Sequence, residues 1–200
     1  MKQFSMIGSA AALMVAIAAC GGGDDGSDSP APAPAPAPAP AATPTAAPTA
    51  SVSAADWVTV DESAKTVTIH LIAGETDAYN RWNYNGFGNG EATVVVPVGY
   101  TVTIDLENRD PINFHSVAVL EAAGSFPAMF SDPAPVFEGA MSSEATSMTE
   151  ATAPGESESI TFTASTAGEY ALVCLIPAHA TTGMWIGFEV SASGDSGVRM

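Results

Sequence analysis

The sequence predicts an all-β chain, a Greek-key antiparallel β-sandwich, and three observations carry that prediction. Apolar and polar residues alternate with period two beyond Trp57. No stretch shows the 3.6-residue period of an amphipathic helix, and Gly, Pro and Asn clusters separate the apolar runs. Seven or eight short strands fit the roughly 140 residues available, the size of one two-sheet domain.

The chain has 200 residues, with 22 acidic side chains against 5 basic ones and a formal net charge of −17. Five scattered cations cannot build the basic patch that a phosphate backbone requires, so nucleic acid is not an expected partner. No apolar run reaches the roughly 18–20 residues of a membrane-spanning helix.

Met1-Lys2-Gln3 supplies one positive charge, and Phe4 to Ala19 is apolar or small. Residues 1–19 therefore read as a secretory signal peptide. The segment ends Ile17-Ala18-Ala19-Cys20, which resembles the bacterial lipobox; by that resemblance Cys20 is lipidated and becomes the mature N-terminus. The plainer reading is an ordinary signal peptide cut at a small residue, with Cys20 incidental. An acylated Cys20 cannot pair, which leaves Cys174 as a lone thiol in an oxidising compartment.

Residues 20–54 form a linker with almost no large apolar side chain, and eight of the 15 prolines fall between Pro30 and Pro48. Alternating Pro-Ala favours extended polyproline II, so this stretch reads as a stalk rather than a core. The sandwich domain is assigned to residues 55–192. Its strands are expected around Val67–Leu71, Ala92–Val96, Tyr100–Glu107, Phe114–Leu120, Ser159–Thr163, Glu169–Cys174 and Met184–Val190. Glu121 to Glu158, with Met129, Met141 and Met148, reads as a long loop over the sandwich with at most a short helix. Residues 193–200 read as a C-terminal tail.

The chemistry concentrates in Cys174-Leu-Ile-Pro-Ala-His179-Ala-Thr-Thr-Gly-Met184, preceded far upstream by Asn113-Phe114-His115-Ser116. Two imidazoles, a thiolate and a thioether suit copper in both of its oxidation states: the sulfurs favour Cu(I) and the imidazoles serve either. Strand parity places His115 on one face with Val117 and Val119, and Met184 with Ile186, Phe188 and Val190. Each residue alone has a bland reading, a buried thiol, a core methionine or a solvated histidine. Their conjunction at this spacing points to a metal site. His70 alternates with Val67, Ile69 and Leu71 and reads as a solvated histidine, not a ligand.

Three segments make the domain resemble the cupredoxins, and among them the sulfocyanin and rusticyanin-like blue copper proteins. They are Trp82–Gly90 with Ala92–Tyr100, Asn113–Val119, and Gly168–Trp185. The resemblance implies one mononuclear type 1 copper, with His115, Cys174 and His179 as equatorial ligands and Met184 axial. It places Ser116 beside the site, restraining the copper loop. It also implies a non-enzymatic, monomeric electron carrier that exchanges electrons with a donor and an acceptor of cytochrome or terminal oxidase type. With Cys20 lipidated, that carrier is expected in the cell envelope, on the periplasmic side of either membrane or at the cell surface. One departure stands out: Ala178 occupies the place before the loop histidine where the family usually has glycine.

Three other functions compete. A copper chaperone or storage lipoprotein exposes soft ligands for hand-over, a cysteine hydrolase needs an accessible thiol and leaves Met184 idle, and an adhesin needs no metal at all. The uncharged stretch Pro177–Thr182 around His179 is expected to serve as the docking patch through which electrons leave.

Overall fold

Alternation decides which side of each strand is buried. The computed structural model describes residues 52–200; the signal segment, Cys20 and the Pro/Ala-rich stretch lie outside the described residues. Within them the strands are β1 (Val58–Asp61), β2 (Thr66–Ala73), β3 (Thr93–Pro97), β4 (Thr101–Asn108), β5 (Ala118–Glu121), β6 (Ser157–Thr163), β7 (Gly168–Val173), β8 (Trp185–Ser191) and β9 (Gly197–Arg199). One sheet runs β1-β2-β4-β6 and the other β5-β7-β8-β3-β9. Val67, Ile69 and Leu71 of β2, Val102, Ile104 and Leu106 of β4, and Ile186, Phe188 and Val190 of β8 meet in the core between them. The alternate residues face outward, His70 among them, 3.9 Å from Asp105 on β4.

The all-β sandwich expected from the sequence is present, but its sheets are mixed. β2 pairs with β4 in parallel, and so does β3 with β8, while the other pairings are antiparallel. The cause is topological. Between β2 and β4 the chain crosses to the other sheet to form β3, so it returns to β2 running in the same direction. Two strands escape the sequence reading because they are short. β1 has four residues, and the three-residue β9 lies in the stretch read as a tail. Val198 of β9 is fully buried and exchanges backbone hydrogen bonds with Ser53, so both ends of the domain are sewn to one edge.

The long connection between β5 and β6 contains neither helix nor strand. It covers the outer face of the second sheet, where Phe126, Phe130, Met141 and Ala145 pack on Ala171, Val173 and Leu175. This explains why β7 reads as a continuous apolar run, since both of its faces are dry. The loop also pairs with the segment that precedes β5. Ser142 N–H donates to Val117 O at 2.9 Å, and His115 and Thr152 exchange backbone hydrogen bonds of 3.1 Å. Phe114–Val117, expected as the first half of a strand, is therefore held by loop residues rather than by the sheet.

Asn108, the last residue of β4, anchors that arrangement. Its buried amide donates to Asn113 O and Thr152 O, both at 2.9 Å, and its Oδ1 accepts the Asp110 N–H at 2.9 Å. Asn108→Ala takes this partner from Asn113 O and the Asp110 N–H, while Thr152 O keeps the His115 N–H, and each buried unpaired group costs ~1–3 kcal/mol. Chemical denaturation of the metal-free protein is expected to show a loss of about 2–4 kcal/mol, since the individual costs do not simply add.

Candidate metal centre

Cys174 follows β7 directly, on the core side that Leu172 also faces, and its thiol is wholly buried. The next ten residues fold back on themselves. Met184 N–H donates to His179 O at 3.0 Å, and Cys174 N–H donates to Met184 O at 3.1 Å, so the backbone closes the loop. A 3-10 turn at Ala180–Thr182, ended by Gly183 at φ +112°, makes the reversal possible. Ala178 sits at φ +72°, the left-handed conformation that glycine adopts freely, so the alanine in that place takes the tight turn at a steric cost. Its N–H donates to Ala128 O at 2.7 Å, which helps hold it there.

The structure brings His115, Cys174 and His179 together. Their donor atoms lie within 4.8 Å of one another, and all three residues are buried. Cys174 Sγ is 3.9 Å from His115 Nδ1 and 3.6 Å from His179 Nδ1. A metal bound about 2.0–2.3 Å from nitrogen and sulfur needs N···S separations of about 3.6–3.8 Å, so the spacing fits a single ion. Met184 is fully buried in the same core and tied by its backbone to both Cys174 and His179. Ser116 Oγ accepts the Leu175 N–H at 3.0 Å and lies 3.8 Å from the Cys174 sulfur. His70 stands on the exposed face of β2, away from this group.

Asp110 prepares His115. Its Oδ1 accepts the N–H groups of Ile112 and Asn113, and its Oδ2 accepts the Asn113 side chain at 2.9 Å and faces His115 Nε2 at 3.1 Å. Burial pushes the Asp110 carboxyl up, but the hydrogen bonds from Asn113, Ile112 and His115 outweigh it and hold the group below its usual value. A carboxylate only accepts, so Nε2 carries the proton and the Nδ1 lone pair is free to face the thiol. Burial lowers the pKa of His115 despite Asp110, and it lowers that of His179 to about 3, with the neighbouring His115 adding to the effect. Burial also raises the Cys174 thiol. Both imidazoles are thus neutral donors over the physiological range, as metal ligation requires.

A third wall comes from the segment between β2 and β3. The Trp82 ring stacks on His179 with centroids 4.1 Å apart and planes 19° apart. The wholly buried Tyr84 hydroxyl donates to Ser116 O, and burial carries its pKa well above the phenol range. Neither Asp110, Trp82 nor Tyr84 was given a role from sequence. Asp110 reads there as turn punctuation in Asn108-Arg-Asp-Pro111, and the aromatic pair only as part of the Trp82–Gly90 segment that carries the resemblance. A carboxylate five residues before a candidate ligand was the available signal for Asp110. Ala180, expected in an exposed docking loop, is only 2 % exposed; Thr181 and Thr182 carry the exposure there.

Sulfocyanin of Sulfolobus acidocaldarius is 26% identical to this chain over 125 residues, covering 62% of each, so the match spans less than two thirds of that relative's length. Among solved structures, a dithionite-reduced auracyanin from Roseiflexus castenholzii is 26% identical, covering 62% of this chain and 96% of its own, with a TM-score of 0.43. A rusticyanin from Thiobacillus ferrooxidans is 26% identical, covering 68% of this chain and 88% of its own, with a TM-score of 0.45. The family model described as the Sulfocyanin (SoxE) domain matches residues 53–196. Because that match runs from the residue paired with β9 through every ligand candidate and past the end of β8, the chain belongs to the sulfocyanin family of cupredoxins, which hold one type 1 copper.

Proposed function

We propose that the protein is a membrane-anchored, one-electron carrier of the cell envelope. In this reading His115, Cys174 and His179 would hold one copper, with the Met184 thioether as a weaker fourth donor. The observation that carries it is the buried convergence of two Nδ1 atoms on one thiol. Bound copper supplies a metal that cycles between Cu(I) and Cu(II) while its thiolate, imidazole and thioether donors stay in place. The chain's part is to keep the donors still. Asp110 fixes the His115 ring, the Ser116 hydroxyl holds the backbone after Cys174, and the loop hydrogen bonds fix His179 relative to Met184. Donors that barely move between oxidation states need little reorganisation, which favours fast transfer. The same burial argues against a chaperone or storage role, because a closed site is poorly suited to hand-over.

Electrons leave past His179. A cleft beside it is lined by Ile112, Asn113, Phe114, Met148 and Ile176, without a charged residue. Ile112 is 77% exposed and Met148 63% exposed. In a chain with 22 acidic side chains, this uncharged surface is the one a partner covers with least desolvation, while the acidic surface elsewhere steers a basic partner. The partners are redox proteins of cytochrome or terminal oxidase type, and a lipidated Cys20 tethers the domain through the Pro/Ala-rich stalk. One acyl chain gives only marginal membrane binding, so the anchor is a multiply acylated terminus.

Cu(II) added to the purified protein is expected to give an intense visible thiolate-to-copper band, and Cys174→Ser to abolish it; a colourless one-to-one complex would exclude the site. Ile112→Glu is expected to slow electron exchange with the native partner by about tenfold, an effect of about 1.4 kcal/mol on the encounter. Band and potential stay as in wild type, and stopped-flow rates unchanged at every salt concentration would place the exit elsewhere. Cys20→Ser should move the protein out of the membrane fraction, with mass spectrometry of the mature wild-type N-terminus reporting the acyl groups directly.

A further inference from the structure

We propose that Trp82 is a positioning residue of the metal centre: its indole clamps the His179 ring and favours the oxidised form of the site. The inference rests on the copper reading above but on a separate observation, the stack of the two rings at 4.1 Å and 19°. His115 and His179 also lie ring to ring at 5.0 Å, tilted by 54°. His179 therefore has an imidazole on one side and the indole flat against it.

The backbone is built to deliver that ring. Tyr79, Asn80 and Arg81 all have left-handed conformations, at φ 53°, 58° and 65°, immediately before Trp82. Non-glycine residues adopt this region only when their surroundings enforce it, and three in succession mark a turn under constraint. Trp82 N–H donates to Tyr79 O at 3.0 Å. Buried Asn83 then locks the turn, its Nδ2 donating to Thr76 O at 2.9 Å and Ala78 O at 2.8 Å. The same segment grips the ligand loop at its other end, where Asn89 N–H donates to Gly183 O at 2.8 Å. Trp82 and Asn89 thus hold both sides of the His179–Met184 reversal.

The choice of tryptophan has a cost. Trp82 Nε1 is the one buried side-chain nitrogen or oxygen among the described residues without a hydrogen-bond partner. A phenylalanine would still present an aromatic face to His179 without an orphaned N–H, at the expense of a small void. What the indole adds is the strongest negative ring face among the aromatic side chains. An imidazole bound to Cu(II) carries more positive charge than one bound to Cu(I), so the indole face stabilises the oxidised form more and lowers the reduction potential.

The full-length wild type is compared with Trp82→Phe and Trp82→Leu by two readouts. In the metal-free proteins, the ring protons of His179, assigned against a His70→Gln background, are expected to resonate upfield in the wild type. They should shift downfield in the leucine variant and by a smaller step in the phenylalanine variant. In the copper proteins, cyclic voltammetry is expected to place the midpoint highest for leucine, intermediate for phenylalanine and lowest for the wild type, with the blue band kept throughout. Phenylalanine keeps an aromatic ring against His179 and removes the orphaned N–H, so it is the milder change and carries the test if the leucine variant fails to fold. A wild type that never turns blue overturns the copper reading, while the metal-free resonances still decide the stack. A blue protein whose His179 resonances and midpoint ignore both substitutions overturns the clamp alone.

Discussion

Burial of a thiol and two imidazoles side by side forces all three toward their neutral forms, and the rest of the centre follows from that constraint. Desolvation raises the Cys174 thiol, lowers His115 and takes His179 to about 3. Neutral rings are poor electrostatic anchors, so their positions must come from hydrogen bonds and packing. His115 gets its orientation from a carboxylate that stays ionised in the interior because four hydrogen bonds converge on it. His179 has no such acceptor in the pattern. Its backbone is held by Ile176, Thr182 and Met184, and its ring by the Trp82 stack. The two imidazoles are oriented by different physics, one polar and one dispersive.

Convergence of the donors depends on elements far apart in sequence. β7 and β8 are antiparallel neighbours, so the loop between them returns to its start and brings Cys174 beside Met184. His115 arrives from the segment before β5, which pairs with β7 and so lies next to the same loop. Three elements then meet at one end of the sandwich without a helix among them. The long β5–β6 connection completes the enclosure by supplying partners to Phe114–Val117 and by drying the outer face of β7.

Much of this is legible in residue order because the relevant signals are periodic or local. Alternation in Val67–Leu71 and Tyr100–Glu107 marks β2 and β4, and the Cys174–Met184 spacing marks the ligand loop. What escapes is set by tertiary pairing. Parallel β2–β4 pairing depends on β3 joining the other sheet, which no local pattern encodes. Val198 looks like an isolated valine in a polar tail until Ser53 and β3 cover it. The segment around His115 has strand-like alternation, yet its backbone partners are Thr152 and Ser142, drawn from a loop with no periodicity. Asp110 and Trp82 are ordinary residues in sequence and acquire their roles only from what the fold places against them. Ala180 fails in the opposite direction: an uncharged small residue reads as surface, but the 3-10 turn rotates it inward, into the buried cluster on the outer face of β7.

The loop that holds three of the candidate ligands also carries backbone strain. Ala178 at φ +72° carries a Cβ in a conformation costing ~1–2 kcal/mol, and Gly183 at φ +112° has Asn89 so close that a Cβ would meet its amide at 2.5 Å. These two positions bracket His179 and the turn after it. Strain of this kind persists only where the surroundings over-determine the chain, and here they do, through Ala128, Asn89 and the closing Cys174–Met184 hydrogen bond. A relaxed loop would let His179 and Met184 follow the coordination preference of each oxidation state. A loop pinned at both ends denies them that freedom, and for the proposed electron carrier the denial is the useful property, because every displacement avoided is reorganisation that transfer need not supply.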